Sequence, residues 1–271
     1  MKESRVKMYF MSFLLGLVFM TIYTTPAHAK SLKLIKTITT EVNSDYNVSY
    51  TSKGLVSKMS EIVEADDNFK TEAVFKYYSD ERLKKAAETM KSGGTLMYKG
   101  VYTYKYGKNK KLTKIKVNEK RVTSTTNTTY KVSVKKNKTV VTLDSYIDDD
   151  RVTYSFKKGY ITKIVEDKDT YESGEHNYST KFKIDKKGRK IEQIDSLDII
   201  TTKFTFKYGT SGNTVNRTLS TSGGNTRKDI FKTKSKNIKS KFKDKVMKQQ
   251  ANLYNASDSN LDDFLRWGII Y

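Results

Sequence analysis

Few side chains in this sequence can do covalent or metal chemistry. Its 271 residues include two histidines and no cysteine. His28 falls in an N-terminal leader, which leaves His176 as the one imidazole beyond it. That histidine ends a polar stretch, EDKDTYESGEH at 166–176, which reads as a loop between strands. A Ser/His/Asp triad would have to be assembled around it, and a metal site built from several histidines has no ligands. Without thiols there is no disulfide framework, no thiolate metal site and no cysteine nucleophile. Carboxylates remain, in two clusters: Asp144 with Asp148, Asp149 and Asp150, and Glu166, Asp167, Asp169, Glu172 and Glu175. A carboxylate pair can hydrolyse a glycoside. Neither cluster has calcium-loop spacing with its glycine at the sixth position, and aspartate beside a strand is ordinary turn chemistry. The expectation is a protein that is not an enzyme, with no catalytic residue, metal or cofactor.

What must position these groups is a repeated unit. Apolar triplets in alternation recur at Tyr46-Val48-Tyr50, Ala73-Phe75-Tyr77, Tyr102-Tyr104-Tyr106, Tyr130-Val132-Val134, Val152-Tyr154-Phe156, Thr180-Phe182-Ile184 and Phe204-Phe206-Tyr208. All intervening residues but Val74 are polar, Lys105 and Lys207 among them. Period-two alternation marks a strand with one apolar and one wet face, and it favours antiparallel pairing.

Turn residues follow every triplet: SKG, SDE, GKNKK, KKNK, KKG, DKKG and GTSGN. Gly and Asn supply the left-handed backbone that tight hairpins need. An apolar pair three residues apart comes next: Val56/Met59, Leu83/Ala86, Leu112/Ile115, Val140/Leu143, Ile161/Ile164, Ile191/Ile194 and a degraded Val215/Thr218. That spacing puts the two on opposite faces of a regular strand. Either a bulge realigns them or the first packs over the hairpin tip, which is the reading favoured here. Recurrence at this period implies stacked supersecondary units, each a β-hairpin. Equivalent hairpins provide no unique catalytic cleft.

The segment FKIDKKGRKIEQI at 182–194 resembles the YD-type hairpin repeat, whose core reads Y-x-Y-D-x-x-G-R-L. Phe182, Ile184, Asp185, Gly188 and Arg189 fill the matching slots. YTYKYGKNKKLTKI at 102–115 and VTYSFKKGYITKI at 152–164 are looser versions that lack the aspartate. The chain is also similar to secreted proteins of gut-type Gram-positive bacteria that carry such hairpins and a basic C-terminal segment. The resemblance covers about 46–218 and implies a hairpin array. Large YD-repeat proteins build closed shells from dozens of copies, and seven cannot enclose such a volume.

Lys2, Arg5 and Lys7, then an apolar run over 8–23 and Ala27-His28-Ala29, have the form of a signal peptide cleaved between Ala29 and Lys30. The membrane is then met only through that leader, and the protein is secreted or wall-associated. No cysteine means no lipid anchor, and Pro26, the one proline, leaves no LPxTG sorting signal. Net charge is +22, and +20 once Lys2, Arg5, Lys7 and Glu3 are removed. Such a surplus attracts polyanions, while lysine on a wet strand face also blocks edge-to-edge pairing. No nucleic-acid-reading motif is present.

Residues 30–45 form a lead-in, strand or short helix. Residues 83–90 fit hairpin and helix equally, since Leu83, Ala86, Ala87 and Met90 have helical spacing. Residues 46–226 form the repeat domain. Over 227–271 a basic amphipathic helix is expected, with Ile238, Phe242 and Val246 on one stripe and Lys239, Lys241 and Lys243 on the remaining surface. It caps the open end of the array or lies on an anionic surface. A second short helix after Ser259 and docking of Trp267 and 269–271 are also expected. The fold class is mainly β: an antiparallel meander of about seven hairpins in one curved or elongated sheet. Its expected function is contact with anionic polymers, teichoic acid or acidic glycans, through Tyr102, Tyr104, Tyr106, Lys105, Lys207, Lys239, Lys241 and Lys243. The alternative is a lipid carrier with an aromatic-lined sheet. The sequence sets no oligomeric state.

Overall fold

Among the described residues sixteen strands follow one another along the chain, and each pairs antiparallel with its sequence neighbours. The computed structural model describes residues 30–41, 44–63, 69–135, 138–143, 151–157, 160–168, 176–197 and 200–255. The strands are β1 (Lys30–Thr40), β2 (Ser44–Tyr50), β3 (Val56–Val63), β4 (Lys70–Tyr77), β5 (Leu83–Ser92), β6 (Thr95–Tyr106), β7 (Leu112–Arg121) and β8 (Thr125–Lys135). They continue with β9 (Lys138–Leu143), β10 (Arg151–Lys157), β11 (Tyr160–Lys168), β12 (His176–Ile184), β13 (Lys190–Leu197), β14 (Ile200–Ser211), β15 (Thr214–Thr221) and β16 (Thr226–Ile238). Among the described residues one helix, α1 (Ser240–Asn255), follows.

The sheet is a closed barrel, which corrects the expected open sheet. The seven repeats are the hairpins β2–β3 through β14–β15. Closure comes from the two segments outside the repeat. β1 pairs with β2 on one side and with ten residues of β16 on the other. Closure removes the unpaired edges of a long meander. Residues 227–238, expected as helix, are therefore strand, and the helix starts at Ser240. The overlooked signal was alternation: Asp229, Phe231 and Thr233 are buried, while Lys228, Ile230, Lys232 and Lys234 are exposed. Residues 30–40 of the lead-in are strand, and so are residues 83–90.

The middle residue of every triplet is buried: Val48, Phe75, Tyr104, Val132, Tyr154, Phe182 and Phe206. The aromatic face is thus the interior. In five of the repeats a bulge, and not packing over the tip, sets where the paired apolar residues point. The fourth and seventh hairpins have no such shift, so Val140 and Thr218 stand opposite Ser133 and Lys207 on the outward face. In the first repeat the bulge is plain. Tyr50 faces Val56 while Ser49 faces Lys58, so Ser57 is skipped. The same skip occurs at Lys84, Thr113, Thr162 and Ile191. In the first three cases and at Ile161 it turns the residue after the loop inward, so Val56, Leu83, Leu112 and Ile161 are all buried. In the sixth repeat the inward slot falls to Lys190, and Ile191, expected in the apolar pair, is exposed. Lys190 tolerates the slot because its ammonium lies 4.5 Å from the Phe182 ring centroid and 3.1 Å from Gln193 Oε1.

Four of these turns share one geometry. In 51–55, 78–82, 107–111 and 185–189, the first N–H donates to the fifth carbonyl and the fourth N–H donates to the first carbonyl. The fourth residue is left-handed each time: Gly54, Glu81, Lys110 and Gly188. The loop therefore accepts a side chain there at moderate strain, but Gly188 adds a collision. A Cβ on Gly188 would come within 2.2 Å of the Tyr160 ring. Gly224 has the same backbone and nothing within 4 Å. Urea unfolding should show Gly224→Ala costing about 1 kcal/mol, the strain alone, and Gly188→Ala about 2–3 kcal/mol. Equal losses would show that the ring moves aside freely.

A ladder of tyrosines links the first repeats. Tyr50 OH donates to the Ile35 carbonyl, Tyr77 OH to Val56 and Tyr106 OH to Leu83. Each hydroxyl meets the backbone of the preceding unit, so the third triplet residue carries a polar tip where the interior needs one.

Candidate functional site

The expected contact residues do not form one surface. Tyr104 is 0% exposed, and burial pushes its phenol well above its ordinary pKa. Tyr102 points inward, with its hydroxyl 3.2 Å from that of Tyr98. Tyr106 is half-buried beneath the Arg82 guanidinium, 4.4 Å from its ring centroid. Lys105 and Lys207 are exposed on the outer wall. They lie on β6 and β14, eight strands apart in a ring of sixteen, and so stand on opposite walls. Lys239 and Lys241 are exposed and Lys243 is half-buried. His176 is the first residue of β12, paired with Lys168 at the end of β11, so part of the expected 166–176 loop is strand. Ala27, Ala29, the Asp144 and 148–150 cluster, residues 169–175 and everything after Asn255 lie outside the described residues. Lys30 begins β1.

The helix lies across the end of the barrel that holds the repeat turns. Phe242 and Val246 pack with Leu34, Leu55 and Ile238. The irregularity at Lys36 lets Leu34 face this cluster while its neighbour Ile35 joins the main core. Farther along α1, Gln249 Oε1 accepts from Val56 N–H and Gln250 Oε1 accepts from Ile35 N–H, at 3.0 and 2.8 Å. The two glutamines also donate to Tyr77 OH and Tyr50 OH. Asn255 accepts from Lys190 N–H and donates to the Gly188 carbonyl on the far rim. Buried polar side chains on a helix are costly unless paired, and these meet backbone groups that the bulges and strand ends leave open.

Arg217 and Arg189 both reach Tyr254 at the helix terminus. Arg217 and Asp229 are 3% and 0% exposed and bonded at 2.6 Å. Arg227 holds the other oxygen of Asp229 at 2.9 Å. Arg217 also donates to the Tyr254 carbonyl at 2.7 Å, at the negative end of the helix dipole. Arg189 lies 4.2 Å from the Tyr208 ring centroid, and the Tyr254 ring packs against Phe231 at 4.8 Å. Asp185 accepts from the backbone N–H of Lys187 and Arg189 and from Arg189 Nε. The Asp, Gly and Arg slots of the repeat motif therefore build a turn and aim a guanidinium at the helix.

The outer wall carries lysines in direct opposition. Across neighbouring strands Lys70 faces Lys91, Lys76 faces Lys85, Lys99 faces Lys120, Lys105 faces Lys114, and Lys163 faces Lys181. Lys114 also faces Lys131, so β6, β7 and β8 carry three ammonium groups in a row. Two outward carboxylates are already engaged. Glu72 bonds Lys58, and hydrogen bonds from Lys183 and Lys203 hold the Glu192 carboxyl below its usual range. Of these lysines, sequence reading singled out Lys105 alone as a contact residue and took the others as polar spacers on the wet face. Their trace is a lysine two residues after the first apolar residue of a pair, at Lys85, Lys114 and Lys163, but only strand register shows that each faces another lysine. No protein-family model matches this chain, and no curated protein matches its sequence.

Proposed function

We propose that this chain is a secreted, non-catalytic barrel that associates with the wall or surface by contacting anionic polymers, teichoic acid or acidic glycan, through its outer lysines. The observation that carries this reading is the set of directly opposed lysine pairs. Like charges facing each other across strands are destabilising. A polyanion relieves that repulsion and releases its own counterions as it binds. Tyrosine stacking has no part in it, because the triplets face inward. A hydrocarbon setting for the wall is disfavoured too: lysine on the lipid side of a barrel costs about 2–4 kcal/mol near the bilayer midplane, and these pairs lie along the strands.

The test is sedimentation with purified Gram-positive wall before and after chemical removal of teichoic acid. Co-sedimentation that drops on removal supports wall polymer as the ligand. No sedimentation with either wall, even at low ionic strength, removes the reading. The inward aromatic face keeps a carrier in view, and solvent extraction of purified protein followed by mass spectrometry decides that. Here many of the inward apolar side chains already pack on one another, in a cluster from Ile35 to Leu253, so no stoichiometric lipid is expected, and finding one would favour the carrier.

A further inference from the structure

Charge is not spread evenly round the barrel. Between Thr95 and Leu143 the chain has thirteen Lys and Arg residues and one carboxylate, Glu119. That 49-residue stretch carries +12 of the net +22. It folds into four adjacent strands, β6 to β9. Its one acidic side chain accepts a hydrogen bond from the inward Tyr98 hydroxyl at 3.1 Å, so it does not offset the outer wall. Lys99, Lys105, Lys108, Lys110, Lys111 and Lys116 are all exposed, as are Lys131, Lys135 and Lys138 farther round. The turn 107–111 at the helix end extends the sector with Lys108, Lys110 and Lys111.

We infer that the outer wall of β6–β9 is the seat of a linear polyanion with closely repeated phosphate or sulfate groups. This rests on the functional reading above and narrows it from the whole barrel to one sector. Strands lie about 4.8 Å apart, and outward residues along one strand repeat about every 6.8 Å. The row Lys105, Lys114 and Lys131 and the step from Lys114 to Lys116 thus form a grid of ammonium groups about 5–7 Å apart. A flexible chain with anionic groups at similar intervals can meet several at once. A compact anion would meet one or two.

The experiment measures affinity for long-chain inorganic polyphosphate, and separately for heparin, against ionic strength. The sector variant replaces Lys105, Lys114, Lys131 and Lys138 with Gln. A control of equal charge replaces Lys36, Lys228, Lys232 and Lys234, which are exposed on β1 and β16 across the barrel. The sector variant is expected to bind at least about tenfold more weakly with a shallower salt slope, and the control to change less than about threefold. In unaltered protein, bound polyphosphate should protect the sector lysines from acetylation and leave Lys232 and Lys234 reactive. Equal losses in both variants with uniform protection would overturn the sector while leaving the wider reading intact. If the parent protein binds neither probe, that wider reading falls first. Stronger binding to polyphosphate than to heparin identifies a phosphate polymer as the source, and the reverse order a sulfated glycan.

Discussion

Asp229→Ala should destabilise the barrel by about 3–5 kcal/mol, a large part of the roughly 5–15 kcal/mol that holds a domain together. The carboxylate is 0% exposed and takes bonds from both Arg217 and Arg227. Removing it leaves Arg217 buried with its charge uncompensated. Arg217 also holds the Tyr254 carbonyl, so the loss reaches the seat of α1. Asp229→Asn keeps the shape and removes the charge. It should fall between the parent and Ala, and urea midpoints order the three. A loss under 1 kcal/mol for Ala would mean that the Arg217–Asp229 pair does not organise the closure of β15, β16 and the helix.

The second large effect is alkaline unfolding. Burial raises the phenol pKa of Tyr50, Tyr77, Tyr98, Tyr104, Tyr106 and Tyr254, and pushes Tyr208 up to about 12. A raised folded-state pKa means that the neutral phenol is favoured by folding. The stabilisation is therefore complete below the ordinary tyrosine value near 10 and is lost as pH rises through it toward the folded value. The barrel should hold its β circular dichroism through mildly alkaline pH and then unfold cooperatively. Phenolate absorbance of these tyrosines should rise in the same transition. Reversible ionisation of all tyrosines near pH 10, with the β signal intact, would place the triplets in water.

Much of this interior was legible because alternation is a local signal. The seven triplets mark the seven hairpins, but whether their apolar face was core or contact surface stayed open. Closure was not legible, because β1 and β16 lie about two hundred residues apart and belong to no repeat. The lysines of 227–238 also hid a strand. Phe231 and Thr233 alternate there, but the stripe of Ile238, Phe242 and Val246 suggests one continuous helix, when Ile238 is the last strand residue before α1. The apolar pairs were visible, yet not the bulge that turns both members inward in four of the repeats. In the sixth repeat this gave Ile191 the place that Lys190 holds. Tyr102, Tyr104 and Tyr106 looked like a sugar-stacking surface because an aromatic face reads the same whether it meets a ligand or the rest of the core. Lysine opposition depends on register, which no single strand encodes.

The central claim is that a charged outer wall, not the aromatic face, meets the ligand. Sedimentation of the intact protein with teichoic-acid-bearing wall over a range of ionic strength tests it most directly. Binding should weaken steeply and log-linearly with salt, and vanish near 1 M, where the screening length is about 3 Å. Binding that is indifferent to salt would contradict the account and return the function to the aromatic interior.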